Sequence, residues 1–286
     1  MPGRPLTLPQ VADKLGVHYM TAYRYVRTGR LPARRVGGAW QVDSGDLAHV
    51  QRSRHGPRSP RATGRAPSPT RLEARLVAGD EAGAWDVLEA SLASGMEPGE
   101  VLLDLVGPAL RSIGTLWEHG KLSVADEHRA SNLAARLISR LGARFARRGQ
   151  KRGTVIVAAA PGERHGLPVA IAANLLRWRG FDVVELGADT PADSLAQAAA
   201  GEPDLVAVGI ACTVGSSSQA ARRAIAAVRR SAPQVPVLLG GAAIVDAAHA
   251  RRLGADMFTG RRADEVVRAV EAVVADKPRG SRRRQG

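Results

Sequence analysis

A single cysteine, Cys212, among 286 residues leaves no partner for an intrachain disulfide, which suits a chain that works in a reducing compartment. Aromatic residues make up only 3%, so the cores must be filled by Ala, Val and Leu, as in tightly packed helices and helix-on-sheet layers. No apolar run approaches the ~20 residues of a membrane span, and the opening residues lack the apolar stretch of a signal peptide. These absences predict a soluble, cytoplasmic protein with no membrane partner. No pairing of nucleophile and general base stands out, so no enzymatic activity is expected.

With 44% hydrophobic and 24% charged residues the chain can bury cores, and its length allows about two domains or slightly more. Its net charge of +14 is unevenly spread. Residues 1–70 hold 12 basic and 3 acidic side chains, and the tail 277–286 holds 5 basic and none acidic. Between them, residues 71–150 (10 basic, 11 acidic) and 151–276 (14 basic, 13 acidic) are nearly neutral. Basic ends flanking neutral blocks call for a polyanionic partner, with double-stranded DNA the foremost candidate. Residues 52–70 contain five Arg and four Pro and almost nothing apolar, the composition of a basic, flexible linker. The polar run 147–153 marks a second break. The expected division is 1–51, linker 52–70, 71–148, 151–276 and a basic, disordered tail 277–286.

In the first module, Leu8, Val11, Ala12 and Leu15 stand at helical spacing, Gly16-Val17 makes a turn, and a second helix runs from His18 to Thr28 with Ala22 and Val26 inward. Gly37-Gly38 separates two short extended runs between Leu31 and Val42, as in a β-hairpin. Helix, turn, helix and wing is the pattern of a winged helix-turn-helix, whose second helix enters the major groove. On it Tyr19, Thr21, Arg24 and Arg27 are the candidate DNA contacts, and Arg34 and Arg35 on the wing are placed to clamp phosphate. Trp40 is expected to pack rather than stack on a base. Residues 71–148 read as a four-helix bundle, with Pro108 a kink in the third helix. Such a bundle could simply dimerise, were it not for the run from Trp117 to His128, which gathers Trp117, Glu118, His119, Glu127 and His128 where two helices meet.

The third module alternates β-branched runs at 154–159, 182–186, 205–209, 235–239 and 255–258 with helical stretches at 169–179, 191–200, 218–231, 243–252 and 263–275. That is a doubly wound α/β fold around a five-stranded parallel sheet, which binds ligands beyond the carboxyl ends of its strands. The loop after the first strand, Pro161 to Leu167, has no G-x-G-x-x-G, which argues against an ordinary dinucleotide site. It offers instead Glu163, Arg164, His165 and Gly166. An imidazole there can ligate a metal, with a neighbouring carboxylate fixing its tautomer.

Several strings together carry a resemblance. LTLPQVADKLGVHYMTAYRYVRTGRLPARRVGGAWQVD resembles the MerR and excisionase-like DNA-binding domains. With the Trp117–His128 rim, the Glu163-x-His165 loop, the turn Glu185 to Pro191 and the pair Gly240-Gly241, the whole order resembles the cobalamin-dependent photoreceptor repressors of the CarH type, over about residues 6–51 and 72–275. The resemblance implies adenosylcobalamin as cofactor, held between a helical cap and a Rossmann-like domain, with His165 as the lower ligand of cobalt and Glu163 beside it. It implies that Trp117, Glu127 and His128 cover the adenosyl face, and that Ala211, Thr213, Gly240 and Gly241 lie by the buried nucleotide tail. It further implies a DNA operator and a homotetramer in the dark. The chain departs from that family in three places. Pro168 stands where Gly is usual, Ala211 where Ser is common, and Glu118 where a cap His captures cobalt after light breaks the Co–carbon bond, with His119 following. Two other readings share many of these residues: a corrinoid carrier for methyl transfer, and a DNA-binding regulator without a cofactor.

Overall fold

A computed structural model of the protein describes residues 5–15, 22, 26, 31–36, 39–46, 68–145, 151–260 and 262–276. The chain divides into two compact units, Met1–Arg65 and Ala66–Gly286.

The first unit holds β1 (Pro5–Thr7), α1 (Leu8–Leu15), β2 (Arg34–Val36) and β3 (Ala39–Asp43) in an antiparallel sheet ordered β1-β3-β2. The hairpin β2–β3 is the expected wing, with Arg35 opposite Trp40. β1 is an addition to the sequence reading. Three residues are too few for a periodicity to register, and only pairing with Gln41, Val42 and Asp43 makes them a strand. Thr7 N–H donates to Gln10 Oε1 at 3.0 Å, half of a capping box that starts α1. Leu8, Val11, Ala12, Ala22, Val26, Leu31 and Val42 close one small core. Trp40 packs on its edge as expected, with the Arg35 guanidinium 5.8 Å from the ring centroid.

The second unit begins with the bundle: α2 (Pro69–Ala78), α3 (Glu81–Ala93), the short α4 (Pro98–Val101), α5 (Gly107–Glu118) and α6 (Val124–Gly142). Side-chain caps start three of them: Ser68 for α2, Asp80 for α3 and Ser123, in a capping box with Asp126, for α6. Leu102–Val106 forms a π-helical turn between α4 and α5. This is how the chain accommodates Pro108: proline has no N–H for the carbonyl four residues back, and one wide turn absorbs the misfit.

The sheet follows, with β4 (Thr154–Ala159), β5 (Asp182–Gly187), β6 (Leu205–Ala211), β7 (Val237–Gly240) and β8 (Met257–Phe258), all parallel, in the order β5-β4-β6-β7-β8. The helices are α7 (Leu167–Trp178), α8 (Ala192–Gly201), α9 (Ser218–Ser231), α10 (Ala247–Arg252) and α11 (Ala263–Asp276). Alternate residues of β4 serve opposite layers. Val155, Val157 and Ala159 join α7, α11 and the bundle in one core, while Ile156 and Ala158 join α8, α9 and α10 in the other. Bundle and sheet therefore share a core. A Cβ at Gly99 would meet the Trp178 ring at 2.4 Å, so the absent side chain there makes room for the indole.

Several boundaries differ from the sequence reading, these three among them. The fourth strand starts at Val237, since Asp256 Oδ2 accepts the Val237 N–H at the sheet's lower edge. The fifth is only Met257–Phe258. Helix α10 begins at Ala247 rather than Ala243, because Gly241 takes φ +112° and Asp246 supplies the N-cap to His249 N–H at 2.7 Å.

Candidate functional site

The order β5-β4-β6 reverses the direction of winding at β4, so the loops leaving β4 and β6 stand side by side. Glu163 and His165 lie on the first, and Thr213 and Val214 on the second. The Glu163 side chain is fully buried. Its Oε2 accepts from Thr213 N–H at 2.7 Å and Val214 N–H at 3.0 Å, and its Oε1 from His165 N–H at 3.0 Å and His165 Nδ1 at 2.5 Å. Burial alone pushes this carboxyl up, but the hydrogen bonds from Thr213 and His165 outweigh it and hold the group down to about 2. Glu163 is therefore an anion at neutral pH and can only accept.

That fixes the imidazole. Because an ionised carboxylate has no proton to give, Nδ1 of His165 carries the hydrogen and Nε2 keeps the lone pair. Thr213 Oγ1 stands 3.0 Å from the same Nδ1 and holds the ring from the second side. The His165 side chain is 58% exposed, so a partly open ring is presented by a closed polar base. Asp189 ties in the turn after β5: its Oδ1 accepts from Gly162 N–H at 2.6 Å, and its own N–H donates to the Glu163 carbonyl at 2.8 Å. Asp189 does so at φ +46°, a left-handed conformation that Asp tolerates better than most residues. Arg164 is exposed, and Gly166 starts α7.

Beside this group a cleft of about 500 Å³ opens at the carboxyl ends of the strands, lined by Ala158, Gly209, Ala211, Gly240 and Gly241 below and by Pro168, Val169, Ala263 and Val266 on α7 and α11. On the strand-end side these small residues stand beside Val157, Ile210 and Thr259. Gly240 and Gly241 are required by the chain itself: a Cβ at Gly240 would meet Thr259 Oγ1 at 2.0 Å, and one at Gly241 the Cys212 carbonyl at 2.3 Å. Pro168 falls in the first turn of α7, where its missing N–H is not needed.

The bundle rim is built differently. Gly120, at φ +69°, ends α5, and Lys121 N–H returns to the Leu116 carbonyl at 2.8 Å. Trp117 is 44% exposed, with Glu118 and His119 exposed beside it. His119 Nδ1 lies 2.7 Å from the Thr115 carbonyl, which can only accept, so the lone pair of His119 is also on Nε2. Ser123 caps α6 and Asp126 closes the capping box, so Glu127 takes no part in it. Glu127 instead accepts from Ser131 Oγ at 2.5 Å, with His128 Nε2 3.7 Å from its other oxygen. Among the described residues, no hydrogen bond or ion pair joins this rim to the Glu163–His165 group, and no three His, Cys, Asp or Glu gather as a metal cage. Of the DNA candidates, Arg34 and Arg35 are exposed on β2, whereas Tyr19, Thr21, Arg24 and Arg27 lie outside the described residues. Sequence reasoning does not find Asp189 or the Val214 N–H. Asp189 sits in the singled-out turn 185–191, but nothing in its spacing tells that it reaches Gly162.

Family models match in three places: a B12 binding domain at residues 70–141, a second B12 binding domain at 153–270, and a helix-turn-helix domain at 5–55. The chain is 35% identical over 167 residues to the HTH-type transcriptional repressor CarH of Myxococcus xanthus, a match spanning 57% of this chain and 54% of that protein. It is 28% identical over 199 residues to trimethylamine corrinoid protein 1 of Methanosarcina acetivorans, spanning 68% of this chain and 91% of that one. The monomethylamine corrinoid protein of Methanosarcina barkeri has the same fold, with a TM-score of 0.60 at 19% identity over 70% of this chain and 96% of that chain. Fold and site define a B12-binding protein that carries a helix-turn-helix domain. Within that class, the chain is similar to the CarH repressor over 57% of its own length and spans about half the length of that protein.

Proposed function

We propose that the protein is a light-responsive transcriptional repressor of the cytoplasm, which uses adenosylcobalamin to control its assembly and its hold on a DNA operator. The observation that carries this reading is the polar base of His165. An imidazole whose Nδ1 is tied to a buried, ionised Glu163 presents a fixed Nε2 to a metal, and a single oriented ligand suits a metal that brings its other ligands in a macrocycle. The cleft beside it, with the small Ala211, Gly240 and Gly241 on its floor, fits a flat or slender appended group. The half-exposed Trp117, with Glu127 and His128, supplies a cover for the opposite face.

When bound, the cofactor supplies a light-sensitive cobalt–carbon bond; the protein's part is to hold it and to read its state. His165 would hold the cofactor from the sheet, Glu163 and Thr213 would keep that ring's tautomer, and the Trp117 rim would exclude water. With Glu118 where the family has a capturing His, His119 is the nearby imidazole that would hold the cofactor on this side. A single winged helix makes a small contact with DNA, so two or more copies, by resemblance four, would bind together in the dark.

A second reading, a corrinoid carrier for methyl transfer, has the likeness to the methylamine corrinoid proteins in its favour. The helix-turn-helix domain favours the regulator. The test is the visible spectrum of the loaded protein before and after green light, in wild type and His165→Ala. The variant is expected to lose cobalamin more readily and to shift the absorption bands, and the wild type to change on illumination alongside its elution volume. An unchanged variant spectrum and affinity would sink the assignment of His165. A light-insensitive wild type that transfers methyl groups would favour the carrier.

A further inference from the structure

The near-neutral charge of residues 151–276 hides a basic face formed by two helices on one layer of the sheet. Helix α11, on the bundle side, carries Asp264, Glu265, Glu271 and Asp276 against one Arg268. On the opposite layer, α9 carries Arg222, Arg223, Arg229 and Arg230, α10 carries Arg251 and Arg252, and neither helix contains an acid. The two helices lie together: Arg229 donates to the Gly254 carbonyl at 2.7 and 3.0 Å, and a Cβ on Gly254 would touch Ile225 at 3.4 Å. Arg251 and Arg252 thus end α10 beside the middle of α9.

Structural roles account for only part of this. Arg229 is taken by Asp256 at 2.6 Å. Arg230, Arg251 and Arg252 stand in last turns, where a cation complements the helix dipole. Arg222 and Arg223 have no such account. They stand in the second turn of α9, away from the helix's C-terminal end, where a dipole would call for a cation. Arg222, Arg223, Arg230, Arg251 and Arg252 are all exposed, and none makes an ion pair or side-chain hydrogen bond among the described residues. The acids nearest in sequence to Arg251 and Arg252 are occupied: Asp256 by Arg229 and the Val237 N–H, and Asp246 by the cap of α10. Seven residues separate Arg223 from Arg230, about two helical turns or ~10 Å along one side of α9. Between them lies only Ala226 on the exposed side.

We infer that the outer face of α9 and α10 is a second surface for the phosphate backbone of duplex DNA, separate from the winged helix and indifferent to sequence; this rests on the DNA-binding reading proposed above. A row of unpaired guanidiniums on a rigid helix, with small residues between, lets a polyanion approach closely and release its counterions. Such a face would add affinity once the winged helix holds a site, as any linked second module does.

The test uses the full cobalamin-loaded chain and a labelled duplex of mixed sequence, with affinity measured from about 50 to 200 mM salt. The variant Arg222→Gln/Arg223→Gln/Arg230→Gln should bind at least about tenfold more weakly at the low-salt end. Its logarithmic salt slope should fall by up to about 2.7, at ~0.9 for each phosphate that is no longer neutralised. The corresponding triple Lys variant should restore most of both, because counterion release follows the charge, which Lys also carries. Circular dichroism and the cobalamin spectrum should be unchanged in each. Wild-type slope in the Gln variant would overturn the inference while leaving the helix-turn-helix reading intact, and would leave an acidic protein as the partner for this face. A wild-type chain that binds no duplex would overturn both.

Discussion

The base around His165 and the rim around Trp117 are two ends of one proposed pocket, and they are built on opposite plans. Around His165, one buried carboxylate accepts four hydrogen bonds from two loops, and Asp189 locks a third turn onto the same spot. Around Trp117 the backbone is equally well fixed, by Gly120 at one helix end and the Ser123–Asp126 box at the other, yet the side chains themselves are left in the open. A ligand that must never move needs the first plan. A surface that must respond when a ligand changes needs the second, since groups already satisfied by protein have nothing to exchange. The lower half is a socket, and the upper half is where a signal can be read.

The comparison breaks most sharply at Glu163. Glu163→Ala removes the acceptor for the Thr213 and Val214 N–H groups and for His165, leaving buried donors unmatched, so the loss should be about 3 kcal/mol or more. For a unit of this size that is ~6–12 °C in Tm, measured by thermal unfolding of the cofactor-free protein. The pH dependence follows from the same group. Its folded value of about 2 lies below the ordinary 4.5. Its contribution, about 3 kcal/mol, is therefore fully present above pH 4.5 and lost as pH falls toward 2. Glu163→Gln should flatten that limb of the acid-unfolding curve. An unaltered limb would show that the carboxylate is not held as described. Next in size is Gly241→Ala, which places a Cβ against the Cys212 carbonyl at φ +112°. A cost of about 1–3 kcal/mol is expected, with cobalamin retention reduced as the loop between β7 and α10 shifts.

Much of this socket is legible without coordinates, for a physical reason. Thr154–Ala159 is β-branched and fully buried because a central parallel strand is covered on both faces. The loop that follows such a strand is where α/β folds bind, so Glu163 and His165 can be placed at the mouth and paired. Thr213 enters the sequence reading only as a neighbour of the cofactor tail. That its hydroxyl and N–H close on His165 and Glu163, some 50 residues earlier in the chain, is a fact of strand order that no local spacing contains. Asp189 escapes for the same reason. The start of α10 is misplaced in sequence because Ala243 and Ile244 look helical, whereas the left-handed Gly241 and the Asp246 cap decide otherwise. At the rim, the Trp-Glu-His run is legible but its division of labour is not: the Ser123–Asp126 box caps α6, and Glu127 is left to Ser131 and His128.

The smallest effect on the fold, and the one that best sharpens the contrast, belongs to Trp117. Its ring is 44% exposed and Val124 across the turn is 55% exposed, so little packing disappears when the indole is removed. Surface truncations of this kind usually stay within about 0.5 kcal/mol. Trp117→Ala should therefore unfold at nearly the wild-type temperature when the cofactor is absent. With adenosylcobalamin bound the outcome should separate from the socket variants. The lower ligand, its tautomer and the cleft are untouched, so cobalamin should still be taken up, but its upper group would stand open to water and the dark state should be less stable. Equilibrium uptake and the dark decay of the loaded protein, measured side by side for Trp117→Ala and His165→Ala, give the comparison directly. His165→Ala should fail mainly in uptake and Trp117→Ala mainly in persistence. A Trp117→Ala protein that unfolds several degrees lower without cofactor would mean that the rim is part of the bundle's own packing, and the contrast between socket and reader would fall.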